Sequence, residues 1–330
     1  MRYRLLGQTG LRVSELFLGA MTFRSSSPEV RKMLDMYADA GGNVVDTASA
    51  YGESEDVVGE LLDGRRDRFV LASKYTLSRD DSDLNASGNH RKNLVLSLER
   101  SLRRLRTDYI DLFWVHLWDR HTPIEETMRA LDDAVRAGKI LYVGISDAPA
   151  WIVSRANTLA EWRGWTPFAG LQVPYNLLRR DIERELLPMA EALELSVAVW
   201  GPLAGGVLSG KFSGGAAPAS GTRIAPGSVS ERDHAAASAA LEVAAELGVT
   251  ASQVAIAWTR ARSRAVHPIL GASSAEQLKD NLGAVDVVLP EEAVQRLEAA
   301  VPFSLGFPLD FIGEVGEAVL GDQYGRLDGR

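Results

Sequence analysis

Short apolar runs alternate with amphipathic stretches along most of the chain. The apolar runs are rich in β-branched and aromatic residues, which is typical of buried strands, whereas the stretches between them repeat apolar residues at helical spacing. Strands are predicted at ELFLG, NVVDT, FVLASK, YIDLFWVH, KILYVGIS, FAGLQVPY, LSVAVW and VHPIL. Helices are predicted from Pro28 to Ala40, Ser54 to Leu62, Asn93 to Leu105, Pro123 to Ala137, after Pro149, from Asp181 to Leu193 and from Ala275 to Leu282.

Repeated strand-helix units predict a parallel sheet whose strands are joined by helical crossovers. Eight units in a chain of 330 residues favour an α/β fold in the form of a closed (β/α)8 TIM barrel. We expect one domain over residues 1–330, with a short N-terminal β-hairpin, long active-site loops and a C-terminal tail from about residue 303. An open doubly wound sheet is the alternative, and it is disfavoured because no glycine fingerprint follows the first strand.

Two irregular stretches and the tail interrupt this pattern. The polar segment Ser78 to His90 is predicted to form a long loop on the active-site face. The Gly-, Ala-, Pro- and Ser-rich segment from Ser213 to Ser230 cannot bury much apolar surface, so it is either a mobile flap or a passive surface linker. The tail carries Phe303, Phe307 and Phe311, whose rings could pack over the barrel mouth.

Composition excludes several functional classes. The formal net charge of −8, without a basic stripe, argues against nucleic acid as a partner. The absence of cysteine removes disulfides, thiolate catalysis and cysteine-ligated metals, and no metal site is expected. The N-terminal segment lacks a leader pattern and no apolar run is long enough to cross a bilayer, so a cytoplasmic location without membrane attachment is expected. Composition does not indicate an oligomeric state.

Four polar residues end, or closely follow, three successive predicted strands. Asp46 closes NVVD and is followed by Tyr51, Lys74 closes FVLASK, and His116 closes YIDLFWVH. Parallel strands deliver such residues to one face, and neighbouring strands lie about 4.8 Å apart, so these side chains can meet. Each residue taken alone has an ordinary structural explanation. Their joint placement predicts a tuned site.

The chemistry that this set fits is general acid catalysis by a phenol. A free Tyr has a pKa of about 10, and an ammonium about 4 Å away is worth roughly 4 kcal/mol, enough to lower that pKa by up to about 3 units. We therefore expect Lys74 to acidify Tyr51, Asp46 to hold Lys74, and His116 to direct the substrate oxygen.

Several motifs together resemble the aldo-keto reductase superfamily, in the branch of bacterial reductases and potassium-channel β subunits. They are DTASAYGESEDVVGELL, the SK of Ser73 and Lys74, DLFWVH and LQVPYN, and the match runs from about Tyr3 to about Ala300. The resemblance implies a (β/α)8 barrel that binds NADPH and transfers hydride to an aldehyde or ketone. It also implies that Asp46, Tyr51, Lys74 and His116 form the catalytic tetrad, with Tyr51 as the acid.

The same resemblance implies where the nicotinamide lies. Ser146, Asp147 and Gln172 match the residues that hold the carboxamide, and Trp200 matches the aromatic residue that stacks on the ring. The family usually carries Asn where Asp147 stands. An ionised Asp accepts hydrogen bonds only, so Asp147 could accept from the carboxamide amine but could not donate to its carbonyl.

The segment GPLAGGVLSGKF has the spacing of a phosphate-binding P-loop between Gly205 and Lys211. Phe212 replaces the required Ser or Thr and no helix pattern follows, which excludes a nucleoside triphosphatase. The segment instead resembles the loop that closes over the cofactor pyrophosphate. On that interpretation the groups that contact the cofactor are Gly201, Leu203, Gly205, Lys211 and Arg223.

LGASSAEQLKDN opens the last predicted barrel helix, whose N-terminal amides attract anions. The resemblance places Ser273, Gln277, Asp280 and Asn281 around the adenosine phosphate and adenine. The resemblance favours NADPH. Because Ser273 stands where many family members carry a basic residue, NADH remains possible.

The substrate pocket is expected to be lined by Trp118, Tyr75, Phe23 and Met21, an aromatic wall suited to aryl or apolar carbonyl compounds. Two functions other than a carbonyl reductase remain open. One is a cofactor-binding regulatory or redox-sensor subunit with little turnover. The other is a lyase or isomerase that uses Lys74 as a Schiff-base amine, which is disfavoured because Asp46 would keep that lysine charged.

Overall fold

The computed structural model describes residues 1–212 and 228–326, and in it eight parallel strands close into a barrel. The barrel strands are β3 (Phe17–Gly19), β4 (Val44–Asp46), β5 (Val70–Tyr75), β6 (Ile110–Val115), β7 (Ile140–Ser146), β8 (Phe168–Pro174), β9 (Ser196–Trp200) and β10 (Val266–Leu270). Strand β10 pairs with both β3 and β9, which completes the ring in the order β10-β3-β4-β5-β6-β7-β8-β9. The predicted (β/α)8 architecture is therefore confirmed.

An antiparallel hairpin precedes the barrel, as predicted. Strands β1 (Tyr3–Leu5) and β2 (Arg12–Ser14) pair in the register Arg4 to Val13. Leu6 and Val13 are fully buried in the cluster that fills the barrel interior. The hairpin therefore closes one end of the barrel and leaves the carboxyl ends of the strands for the site.

Helices surround the barrel, and their bounds follow the predicted ones closely where a prediction was made. They are α1 (Pro28–Asp39), α2 (Ser54–Leu61), α3 (Arg91–Leu105), α4 (Ile124–Arg136), α5 (Ala150–Arg163), α6 (Leu186–Ala192), α7 (Glu231–Leu247), α8 (Ala251–Ala261), α9 (Ala275–Leu282), α10 (Glu291–Ala299) and α11 (Leu309–Leu320). The helix predicted from Asp181 to Leu193 is divided into a 3₁₀ turn at Asp181–Glu183 and α6. Most of the Gly- and Ser-rich segment lies outside the described residues, and Ser230 at its end caps α7.

One indole fills much of the barrel interior. Trp114 on β6 is 1% exposed, and a Cβ added at Gly144 on β7 would lie 2.3 Å from its Cζ3 atom. A Cβ at Gly170 on β8 would lie 3.1 Å from its Cη2 atom. Because these two neighbouring strands carry glycine here, they leave the space that the Trp114 indole fills. A closely packed interior has no room for the indole and for a further side chain at either position.

The tail has a packed part and an exposed part. The Phe303 ring lies 5.0 Å from the Arg180 guanidinium and 4.5 Å from that of Arg184. Phe307 and Phe311 contact each other while 86% and 53% exposed. The described residues give these two rings no buried position over the mouth.

Within the described ranges, no single helix is long and apolar enough to cross a membrane. Only α7 and α8 taken together pass by length and composition, and they are bent by 98°. The same part of the chain contains no group of three or more His, Cys, Asp or Glu residues placed to hold a metal ion.

Candidate active site

Strand alternation gathers the predicted polar residues in one inward-facing layer. Ala72 on β5 and Trp114 on β6 belong to the interior cluster, so Lys74 and His116, two positions further, point the same way. On β4, Asp46 has the inward parity of Val44. The same parity brings Ser146, Gln172 and Trp200 to the layer, from β7, β8 and β9.

Lys74 and Asp46 form a buried ion pair at the centre of this layer. The ammonium is 0% exposed and donates to Asp46 Oδ2 and to the Thr47 backbone oxygen, the latter at 2.8 Å. Burial alone would lower the pKa of Lys74, but the Asp46 carboxylate and the Tyr51 hydroxyl raise it more, so the net direction is upward. Lys74 is therefore held as an ammonium. The expected contact, in which Asp46 holds Lys74, is present in the structure.

A short loop after β4 places Tyr51 beside this pair. The loop continues the pairing with β5, because Thr47 N donates to Ala72 O at 2.9 Å and Ser49 N donates to Lys74 O at 3.1 Å. The Tyr51 ring centroid lies 4.9 Å from Lys74 Nζ. Its ring also meets the His116 ring edge-on, with centroids 5.6 Å apart. Acid, amine, phenol and imidazole thus lie together, as expected.

The pKa of Tyr51 departs from the sequence-based expectation. Burial raises it, Lys74 lowers it, and the Asp46 and Asp147 carboxylates raise it again, so the net direction is upward and not downward. Desolvation of the phenolate, together with two nearby carboxylates, outweighs the ammonium. Lys74 therefore limits how far the pKa of Tyr51 rises. Tyr51 stays protonated at neutral pH, which is the form a proton donor requires.

His116 is neutral in this environment. Burial, followed by the Lys74 charge, lowers the pKa of His116 to about 3. Its backbone N donates to Tyr75 O at 3.0 Å, while its Nδ1 atom is buried without a hydrogen-bond partner in the described structure. A neutral imidazole can orient a carbonyl oxygen by a hydrogen bond, but it is not a source of a proton near pH 7. Of the two rings that meet here, only the phenol carries a proton to give.

Gln172 connects the predicted nicotinamide pocket to the ion pair. Its Nε2 donates to Asp46 Oδ1 at 3.0 Å, and both residues are nearly fully buried. Strands β4 and β8 are separated by three strands on either side, so this bond crosses the barrel interior. Ser146, 1% exposed, is the register partner of Gln172 on β7. Buried polar groups at this depth fit the recognition of a carboxamide.

Asp147 and Trp200 contact each other at the edge of the same layer. Asp147 has φ +47°, a left-handed conformation that Asp tolerates better than most residues. Trp200 Nε1 lies 3.4 Å from Asp147 Oδ1. Burial raises the pKa of Asp147 although hydrogen bonds from Trp200 and Ser146 act in the opposite direction. The contact with Asp147 orients the Trp200 indole, which the resemblance places against the nicotinamide.

The predicted pyrophosphate loop follows β9 directly. Gly201 and Gly205 have φ +68° and +67°, conformations that glycine adopts without strain. Leu203 O accepts from the amide of Gly206 at 2.8 Å, and the Lys211 ammonium lies against Gly206, where a Cβ would be 2.4 Å from Nζ. A tight backbone turn with an adjacent cation fits an anionic linker. Arg223 lies outside the described residues.

Many polar groups of the predicted adenosine site are already hydrogen-bonded within the protein. Ser273 N and Oγ both donate to Gln277 Oε1, at 3.0 and 2.8 Å, and both residues are exposed. The first amide of α9 already donates to the Glu29 carboxylate at 2.6 Å. Asp280 accepts from Thr250 and Gln253 at the start of α8, and Asn281 is buried with Nδ2 3.4 Å from Gly271 O. Ser273 and Gln277 are therefore the exposed residues of this set, and their side chains are hydrogen-bonded to each other.

Two of the predicted substrate residues are not at the mouth. Tyr75 is 0% exposed and stacks on Phe113, and Phe23 is 1% exposed in the layer between strands and helices. Tyr75 must point outward because Lys74, its neighbour, points inward. The expectation that Tyr75 and Phe23 line the pocket is thereby corrected. Met21, 38% exposed, and Trp118, half-buried, are accessible.

Sequence reasoning missed one aromatic residue. Trp151, at the start of α5, is 57% exposed and meets the Trp118 ring edge-on with centroids 5.9 Å apart. The signal that could have found it is its position four residues after Asp147, in the first turn of the helix that follows β7.

Comparison with known proteins relates the chain to one family of oxidoreductases. Residues 15–302 match the Aldo/keto reductase family. The chain is 40% identical over 323 residues to norsolorinic acid reductase stcV of Emericella nidulans, covering 92% of this chain and 82% of that protein. It is 36% identical over 338 residues to the putative aryl-alcohol dehydrogenase AAD14 of Saccharomyces cerevisiae, covering 95% and 90%. It is 38% identical over 340 residues to the aldo-keto reductase ausK of Aspergillus calidoustus, covering 94% and 85%.

Proposed function

The chain belongs to the aldo/keto reductase family, and from that premise we propose that it reduces aldehydes and ketones to alcohols with NADPH, with Tyr51 as the proton donor. Family membership already makes it an oxidoreductase that acts on carbonyl or alcohol groups. The relatives are named as reductases of norsolorinic acid and as aryl-alcohol dehydrogenases, which is consistent with carbonyl and alcohol as the two ends of one reaction.

The observation that carries the proposal is the position of Tyr51 next to both a buried ammonium and a neutral imidazole. Lys74 Nζ is 4.9 Å from the phenol ring centroid, and the His116 ring meets the phenol edge-on with centroids 5.6 Å apart. A carbonyl oxygen bound between the phenol and the imidazole gains negative charge as it is reduced. Tyr51 then transfers its proton to that oxygen, and the Lys74 ammonium stabilises the phenolate that remains.

The cofactor is argued from the pocket beside this cluster. A reduced nicotinamide, when bound, supplies the hydride that no side chain can donate. Ser146, Asp147 and Gln172 would hold its carboxamide, and Trp200 would pack on the ring. Lys211 would pair with a phosphate, together with the loop glycines that precede it. Ser273 and Gln277 would meet the phosphate that distinguishes NADPH, and because neither is charged, use of NADH is also compatible with the site.

The buried ion pair argues against a Schiff-base mechanism. A nucleophilic lysine must lose its proton, but the pKa of Lys74 is raised by Asp46 and Tyr51 against the lowering effect of burial. Its ammonium is also 0% exposed, with donors directed to Asp46 and the Thr47 oxygen. Borohydride trapping of a carbonyl compound on this lysine is therefore expected to fail.

The experiment is aldehyde-dependent consumption of the reduced cofactor. The protein is mixed with NADPH or NADH and benzaldehyde, cofactor absorbance is followed, and benzyl alcohol is identified as the product. We expect stoichiometric alcohol formation, faster with NADPH. Tight NADPH binding with no alcohol would contradict the proposal and support the regulatory-subunit alternative. Equal binding of NADPH and NADH would contradict the phosphate role of Ser273 and Gln277.

A further inference from the structure

Two tryptophans form an exposed aromatic corner next to the candidate active site. The ring planes of Trp118 and Trp151 meet at 81°, with centroids 5.9 Å apart. We call these two residues the indole pair. Trp151 leaves 57% of its surface exposed, and Trp118 is half-buried against the outer core.

The strand register explains why the indole pair lies near the reacting groups. Strands β6 and β7 are neighbours in the barrel, with Val115 opposite Ile145. His116 follows Val115, and Trp118 comes two residues later in the chain. The segment after β7 leads to the first turn of α5, which carries Trp151. The two indoles therefore come from adjacent loops at the carboxyl ends of the strands that also present His116.

Core packing does not account for Trp151. Helix α5 buries the face formed by Ile152, Val153, Ala156 and Ala160. Trp151 is outside that face, and an indole this exposed gains little from burial in the folded chain. A large aromatic side chain that stays accessible beside a site is typical of a ligand contact.

We propose that Trp151, together with Trp118, binds an aromatic ring attached to the substrate carbonyl and so makes the enzyme prefer aryl carbonyl compounds to aliphatic ones of similar size. This inference rests on the proposed carbonyl reduction. An aromatic ring that enters a corner of two perpendicular indoles stacks on one and meets the other edge-on, and both arrangements are favoured by the ring quadrupoles. An alkyl chain of equal volume gains only the apolar contact.

Two neighbours of the corner, Leu117 and Asp119, are compatible with a neutral substrate. Leu117, between His116 and Trp118, is 44% exposed and adds apolar surface. The nearby Asp119 carboxylate already accepts from Thr122 Oγ1 at 2.6 Å and from the His121 amide at 2.8 Å. It is therefore satisfied within the protein and does not call for a cationic ligand.

The test replaces one indole and keeps the rest of the full chain. Trp151→Leu is compared with the wild type for benzaldehyde and hexanal, with NADPH in excess. Trp162→Leu is the matched control, because Trp162 is on the same helix, 79% exposed, near its other end. We expect the KM for benzaldehyde to rise about tenfold in Trp151→Leu, with kcat nearly unchanged, with hexanal altered less than about twofold and with the control unaffected. Trp151→Phe should retain most of the preference.

A binding measurement makes the result independent of turnover. Calorimetric titration of the NADPH-bound protein with benzyl alcohol and with hexanol, neither of which can react with the reduced cofactor, should show about tenfold weaker benzyl alcohol binding in Trp151→Leu only. Equal losses for both alcohols, or no loss for benzyl alcohol, would overturn the role of the indole pair. If the wild type reduced neither aldehyde, the proposed reaction would be wrong, and this titration would still decide whether the corner selects aromatic rings.

Discussion

Replacement of Lys74 by Met removes the ammonium while retaining most of the side-chain volume. Lys74 Nζ lies 4.9 Å from the Tyr51 ring centroid and is 0% exposed. At an effective dielectric of about 20, a unit charge about 5 Å away is worth about 3 kcal/mol, or about 2 pKa units. Lys74→Met should therefore make Tyr51 a weaker acid by about this amount and slow proton donation by about 10- to 100-fold.

The expected loss is uniform with pH. Burial already raises the pKa of Tyr51, with Lys74 acting to lower it and Asp46 to raise it. The phenol therefore remains protonated from about pH 6 to 9 in both proteins. Single-turnover oxidation of bound NADPH by benzaldehyde, followed by stopped flow across this range, measures the step itself. We expect two flat profiles separated by about 10- to 100-fold.

Stability needs its own control, because Lys74→Met leaves the Asp46 carboxylate buried without its partner. Such an orphaned charge costs about 3–5 kcal/mol. The double variant Asp46→Asn with Lys74→Met removes the orphaned charge and should recover much of the unfolding free energy in urea. It should remain slow, since the ammonium is still absent. A single-turnover rate within threefold of the wild type in a folded variant would refute the assigned role of Lys74.

Three further outcomes follow from the structure. Gly144→Ala should lower the free energy of unfolding in urea by about 1–3 kcal/mol, because the added Cβ would lie 2.3 Å from Trp114. Gly10→Ala, whose Cβ would have no atom within 4 Å, should leave the free energy of unfolding nearly unchanged. Equal effects of the two substitutions would contradict this packing. Burial lowers the pKa of His267 to about 3, so the unfolded chain takes up the proton first and this residue contributes a loss of stability of about 1.4 kcal/mol per pH unit from about pH 6.5 to 3. His267→Gln should lessen the acid slope by about that amount and leave the similar contribution of His116; an unchanged slope would refute the contribution of His267. Lys211→Met should weaken NADPH binding about tenfold by fluorescence titration, and unchanged affinity would exclude a phosphate contact.

The strand ends were predictable because two simple periodicities coincide there. Parallel strands send their carboxyl ends to one face, and alternation decides which side chains point inward. These rules place Lys74 and His116 in one layer without any coordinates. The same alternation sends Tyr75 outward, so its assignment to the pocket could have been rejected from the sequence.

Other features required the folded structure. The direction of the Tyr51 pKa depends on how deeply the phenol is buried and on the approach of Asp147, neither of which the local sequence specifies. The hydrogen bond from Gln172 to Asp46 joins residues on opposite strands of the barrel. The position of Trp151 after β7 is visible in the sequence, but its 57% exposure is not, because an apolar residue in the first turn of a helix is often buried. Helices α7 and α8 were not predicted, because the Gly-, Ala-, Pro- and Ser-rich segment before them interrupts the alternation of strands and helices.

The most direct test of the account is Tyr51→Phe, which removes one oxygen atom and keeps the ring. Tyr109→Phe is the matched control, because Tyr109 immediately precedes β6 and so lies at the opposite end of the barrel. We predict that Tyr51→Phe lowers kcat for benzaldehyde reduction by about 10²- to 10⁴-fold while the NADPH dissociation constant changes less than about twofold. A Tyr51→Phe protein that binds NADPH normally and turns over within tenfold of the wild type would contradict the assignment of this phenol as the proton donor.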